Sequence, residues 1–234
     1  MEWSPRRMAR LAGLFEALEG LASAVGQVVI PGRLIVAGNA AATASGLLGH
    51  ERLYWLGFAL SFFGVLFHIA WALLFYELFE PVSRAVSRLA AFVILVGCAM
   101  QAVTGLLYIV PLLVLRGAVP PAAFTPDQQE GIAYLFLRLN GSAFNMYLVF
   151  FGLWCALIGY LILKSTFLPR VLGALMMLNG LGWMSFLVPP LGTRLFPFVA
   201  GASALAELPL MLWLLVKGVD EERWREQAGV AARN

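Results

Sequence analysis

Charge is what this chain has least of. Asp, Glu, Lys and Arg make up only 12% of its 234 residues, about half the share of a soluble domain, so a water-exposed globular surface cannot be built from it. Cysteine and histidine are scarcer, two of each. Cys98 and Cys155 fall inside apolar runs with no CxxC and no His-rich neighbour, which leaves a disulfide or zinc-finger framework without support and makes buried thiols the expected state. A nucleotide-binding glycine loop is missing too, which excludes ATP hydrolysis within the chain. The balance of 16 basic to 13 acidic residues forms no basic patch. The cationic residues stand at the ends of apolar runs, where topology accounts for them, and no nucleic-acid partner is implied.

What is abundant is hydrophobic sequence, 61% of the chain, with a mean hydropathy of +0.84. One crossing takes about 20 apolar residues, so the length accommodates six spans with short connections and no separate soluble domain. The expected fold is all-α and integral to the membrane: a six-transmembrane-helix bundle in a single domain, residues 1–234, with spans near 8–30, 53–79, 89–115, 140–164, 170–188 and 196–216.

The pattern is plainest between Trp154 and Trp183, where two apolar runs flank a basic turn from Lys164 to Arg170. This reads as a transmembrane hairpin. The basic start followed by an apolar run resembles a secretory signal, but Glu16 and Glu19 interrupt it and the run continues past Ala24, so a span is expected there instead. Pro31-Gly32 signals a turn, Ala40 to Leu48 a short interfacial helix, and Glu80-Pro81 the end of the second span. Pro111 lies near the far end of the third span, where lipid-buried helices tolerate a kink. After Pro120-Pro121, the run Thr125-Pro126-Asp127-Gln128 makes a capping box, with a hydroxyl N-cap, Pro at the first helical position and Gln three residues on. A helix from there to Lys164 is too long for one crossing, so a bend is expected at Asn140-Gly141. Pro189-Pro190 should stop the fifth span, and the tail from Lys217 should form a short interfacial or frayed helix.

Placing both termini on one side gives that side Arg6, Arg7, Arg10, Arg84, Arg88, Lys164, Arg170, Lys217, Arg223, Arg225 and Arg233. The other side receives Arg33, Arg52, Arg116 and Arg194, with Arg138 near its boundary. Excess Lys and Arg marks the cytoplasmic face, so both termini are expected inside, in a cell inner (cytoplasmic) membrane. Arg10, Gly13 and Gly20 echo the spacing of Arg170, Gly173 and Gly180, a weak hint of internal duplication.

Gly159-Tyr160-Leu161-Ile162, Lys164-Ser165, Leu168-Pro169-Arg170 and Leu172-Gly173 resemble the hallmark segment of domain of unknown function 4386, a family of bacterial and archaeal multi-pass membrane proteins. Arg6 to Leu14, Ala40 to Ala44, Pro81 to Arg84, Glu207-Leu208, Leu212-Trp213-Leu214 and Lys217-Gly218 resemble it as well, so the likeness covers nearly the whole chain. The resemblance implies the six-span architecture and carries no activity. One departure matters: family members often have a histidine in the fourth span where this chain has Trp154, so a role resting on it would be lost here or pass to His68.

Polar side chains inside spans are costly and mark functional candidates. Counting about 1.5 Å per residue from the expected cytoplasmic helix ends puts Glu19, His68, Asn179 and Glu207 roughly 14 to 17 Å deep, near the middle of a hydrocarbon core about 30 Å thick. Gln101 falls slightly deeper, and Glu16 one helical turn shallower than Glu19. Pro209 leaves the carbonyl of Leu205 without its helical donor, within a turn of Glu207. The expectation is a midplane site of Glu19, His68, Asn179 and Glu207 that binds a ligand or exchanges protons. Through it the protein would bind or move a hydrophobic or amphiphilic small molecule, its other partner being the lipid bilayer.

A plainer reading makes the same residues, above all Asn179 and Gln101, interhelical hydrogen-bonding groups. The alternatives are an intramembrane enzyme acting on a lipid or isoprenoid, or a non-catalytic membrane subunit. His68, a Glu and a thiol from Cys98 or Cys155 can be drawn as a metal site. They come from separate helices without characteristic spacing, so no metal and no cofactor is expected.

Overall fold

The computed structural model describes residues 3–117 and 123–231; Pro120-Pro121 and Arg233 lie outside them. Among the described residues every regular element is helical, as lipid demands, because a helix satisfies its backbone polar groups within one segment. Six stretches are long and apolar enough to cross a membrane. The chain is a multi-pass integral membrane protein.

The first stretch joins α1 (Pro5–Ser23), a π-helical segment (Ala24–Val29) and α2 (Ile30–Leu34) without a break. The short helix α3 (Ala40–Gly49) is capped by Asn39, whose Oδ1 accepts from the Ala42 amide at 2.9 Å. Then follow α4 (Glu51–Phe79), α5 (Arg84–Leu115) with Pro111 inside it, and α6 (Pro126–Lys164). The helix α7 (Arg170–Trp183) runs into a 3-10 turn, Met184–Leu187. Last come α8 (Pro189–Val216), with Pro197 and Pro209 inside it, and α9 (Glu221–Ala231).

The capping box forms as the sequence predicts. The Gln128 amide donates to Thr125 Oγ1 at 3.4 Å, and the Thr125 amide donates back to Gln128 Oε1 at 2.9 Å. The expected bend at Asn140-Gly141 does not interrupt α6, which continues for 39 residues, about 58 Å at 1.5 Å per residue. That exceeds the hydrocarbon thickness nearly twofold, and the polar first turn containing Asp127, Gln128, Gln129 and Glu130 supplies about 6 Å of the excess. Asn140 instead uses its side chain to reach another helix. Pro189-Pro190 ends the fifth stretch as expected, and the same pair opens α8, so the sixth helix starts seven residues before Phe196. Pro suits a first helical position because its missing N–H has no intrahelical partner there.

Contacts divide the chain into two units. One comprises the chain up to Ala17, Phe67–Cys98 and the chain from Asn145 on; the other comprises Leu18–Leu66 and Ala99–Phe144.

In the first unit α6 and α7 form the hairpin read from the sequence, closed on glycine. A methyl added at Gly159 would come within 2.7 Å of the Gly173 carbonyl oxygen, and one at Gly152 within 2.7 Å of that of Gly180. Each helix therefore offers two glycines seven residues apart, in antiparallel register. Gly13 packs on α8 at Leu214, whereas Gly173 packs on α6, so the echoed glycines of α1 and α7 have different surroundings. Gly218, with φ +70°, terminates α8 in the left-handed conformation common after helices, its amide donating to the Trp213 carbonyl at 3.0 Å. This turn sends the chain into α9, where Trp224 Nε1 donates to the Leu78 carbonyl at 2.9 Å.

In the second unit Ile30, Leu34, Leu47, Tyr54, Tyr108, Leu112 and Leu137 form the core. Tyr54 and Tyr108 stack at 4.4 Å, and the Tyr54 hydroxyl donates to the Tyr108 carbonyl at 2.6 Å. Glu51 pairs with Arg116; that hydrogen bond and the carboxylate charge hold the Arg116 pKa above its ordinary value.

Candidate functional site

Asn179 on α7 and Glu207 on α8 meet. Asn179 Nδ2 donates to Glu207 Oε1 at 2.7 Å, and Ser203 Oγ, one turn earlier on α8, donates to the same oxygen at 2.6 Å. Ser203 in turn accepts from Trp183 Nε1 at 3.1 Å. Residues four apart share a helix face, so Asn179 and Trp183 on α7 oppose Glu207 and Ser203 on α8 as a four-residue antiparallel ladder. Asn179 also donates to Cys155 Sγ on α6 at 3.8 Å. Its own Oδ1 is buried with no hydrogen-bond partner.

Two features set Glu207 apart from an ordinary buried carboxylate. Its hydrogen-bond partners here, an amide and a hydroxyl, are neutral. It is also only partly buried, with the buried Ala206 on one side and the exposed Leu208 on the other. In a membrane helix that exposure faces lipid or whatever replaces it.

His68 is fully buried and occupies an aromatic cluster within the same unit. Its Nδ1 is hydrogen-bonded to the Tyr147 hydroxyl at 3.1 Å, and its ring lies 5.0 Å from Trp71, 5.2 Å from Trp154 and 5.7 Å from Phe151. Trp154 thus packs directly on His68. Trp71 and Trp154 are fully buried and meet at 4.6 Å, so they fill this region rather than line an opening.

Glu19 belongs to the other unit, where its Oε1 accepts from Ser23 Oγ at 2.9 Å, one turn along its own helix. That unit also holds a cluster the sequence reading only touched. Gln101, Thr104 and Tyr108 line a cavity of about 10 Å³ with Gln27, Ser61 and Asn140, the size of a single water site. Asn140 Nδ2 donates to the Thr104 carbonyl at 2.9 Å and Thr104 Oγ1 to the Gln101 carbonyl at 2.6 Å. Both polar atoms of the Gln101 side chain, and the Tyr108 hydroxyl, are buried without a hydrogen-bond partner. The signal for this cluster was the spacing of residues 101, 104 and 108, which repeats at helix period on one face of α5. Ser203 and Trp183 carried no such signal, since single serines and tryptophans are common in spans.

Among the described residues no three His, Cys, Asp or Glu side chains converge as metal ligands would. The chain matches the family described as Domain of unknown function (DUF4386) over residues 11–218. No curated protein and no solved structure matches it.

Proposed function

We propose that this chain, which belongs to the family of domain of unknown function 4386, binds a hydrophobic or amphiphilic small molecule within the cytoplasmic membrane. Glu207, Asn179 and Ser203 are its polar contacts, and Glu207 is the group that takes up or releases a proton when the ligand moves. The observation that carries the reading is the setting of Glu207: an ionisable side chain on a spanning helix, partly buried beside the exposed Leu208 and held by neutral donors. Ionisable groups inside spans mark substrate, ion or proton paths far more often than packing alone would predict. Asn179, with its donor committed to Glu207 and its buried Oδ1 unpartnered, retains one acceptor for a ligand hydroxyl or amine. His68 and Glu19 stand as further proton-exchanging groups of the same function, each in its own surroundings.

A second reading has its own support. The ladder of Asn179 and Trp183 against Ser203 and Glu207 joins α7 to α8 internally, as interhelical hydrogen bonds do. Native mass spectrometry of protein released from gentle detergent separates the two. The parent is expected to carry a small lipophilic molecule that Glu207→Gln, which preserves shape and removes the ionisable group, releases. A parent without ligand, or equal retention by Glu207→Gln at unchanged helix content, would leave the packing reading in its place.

A further inference from the structure

From α4 and α5 we infer a binding site for an anionic phospholipid, with one acyl chain in the groove between these helices and its phosphate on Arg88. The groove is lined by Ile69, Ala72, Leu73 and Tyr76 from α4 and by Arg88, Ala91, Phe92 and Leu95 from α5, and has a volume of about 370 Å³. That lies within the range of small-molecule sites, about 300–1,000 Å³.

Its form follows from the sequence. Residues 69, 72, 73 and 76, and residues 88, 91, 92 and 95, each follow the spacing that places four side chains on one helix face. The two helices are joined by a short turn, so the stripes run antiparallel: Tyr76 and Arg88 share the end nearest the turn, and Ile69 and Leu95 the far end. Seven residues at 1.5 Å give each stripe a length of about 10 Å. Ala72 and Ala91 keep the floor low, while the exposed Leu73 and Phe92 form the walls.

The charge selects the occupant. Arg88 stands one turn inside α5, where the helix dipole also favours an anion. Arg84, one turn earlier, is bonded to Glu80 at 3.1 Å. Arg88 is exposed and has neither ion pair nor hydrogen bond among the described residues. A guanidinium closing an otherwise hydrocarbon groove matches a phosphate above an acyl chain, the planar donor set suiting two phosphate oxygens at once. A zwitterionic lipid fills the same groove with less gain, because its ammonium opposes the guanidinium. This site uses no residue of the Glu207 network, so it stands or falls independently of the ligand proposed there.

The test reconstitutes the protein in vesicles of phosphatidylglycerol and phosphatidylcholine with matched chains, then counts lipids retained on gentle release into the mass spectrometer. One basic residue near an anionic headgroup corresponds to about a fivefold preference. The parent and Arg84→Gln are expected to keep that preference for phosphatidylglycerol, Arg88→Lys most of it, and Arg88→Gln none. Ala91→Phe, which fills the groove, should lose both lipids while keeping its helix content. An unchanged preference in Arg88→Gln overturns the assignment, as does full retention in Ala91→Phe or displacement of the phospholipid by an equal concentration of oleate. Should Ala91→Phe not fold, the comparison of Arg88→Gln with Arg88→Lys decides alone.

Discussion

Glycine lets helices pack closely in this protein, and its effect is local enough to test one atom at a time. A methyl at Gly180 would meet the Gly152 carbonyl oxygen and come within 2.6 Å of the Ala156 amide nitrogen, both backbone atoms that no rotamer change can move. Gly180→Ala is therefore expected to destabilise the α6–α7 hairpin by about 1–3 kcal/mol, the usual cost of overpacking, as a lower midpoint of thermal unfolding in detergent. Gly20→Ala, where an added methyl meets nothing within 4 Å, should be neutral or slightly stabilising because alanine favours helix. The spacing of Gly173 and Gly180 drew notice in the sequence as an echo of Gly13 and Gly20. Their partners, Gly159 and Gly152, belong to another helix, and one-dimensional spacing does not say which face of which helix they meet. The polar residues divide the same way. Asn179 and Glu207 stand out in an apolar run because solvation makes them expensive, whereas Ser203 and Trp183 gain their roles only from opposing them.

Elements begin and end where the sequence puts its strongest local chemistry. Thr125 and Gln128 satisfy each other's backbone donors at the start of α6, so Thr125→Ala should cost about 1 kcal/mol. Amide exchange in the first turns of α6 is the measurement, with faster exchange there and unchanged exchange in α7 expected. At Asn140-Gly141 the helix is not interrupted, for a reason that operates at this scale. In water the pair is a turn signal, but a break in an apolar medium leaves carbonyls and amides without partners, each costing several kcal/mol. The helix therefore continues, and Asn140 spends its donor on the Thr104 carbonyl of α5. Pro189-Pro190 was legible because proline acts by its own covalent geometry.

For the whole molecule, the distribution of Lys and Arg sets an expectation that fusions can check. With both termini cytoplasmic, a phosphatase active only outside the cytoplasm should be inactive when fused after Asn234 and active when inserted before Asp127. The reverse pattern would invert the protein and overturn the charge-based orientation. The sequence by itself determined membrane residence, the number of crossings and most helix ends, because hydrophobicity, helix length, caps and prolines are properties of a residue and its near neighbours along the chain. Only the tertiary structure decided the partners. It set Glu207 against Asn179, put His68 among aromatic rings, closed the α6–α7 seam on glycine and gathered Gln101, Thr104 and Asn140 around a cavity. The depth count brought four polar residues to one level. Depth is one coordinate, and contact also depends on each helix's rotation and neighbours, which are settled by packing among many side chains at once.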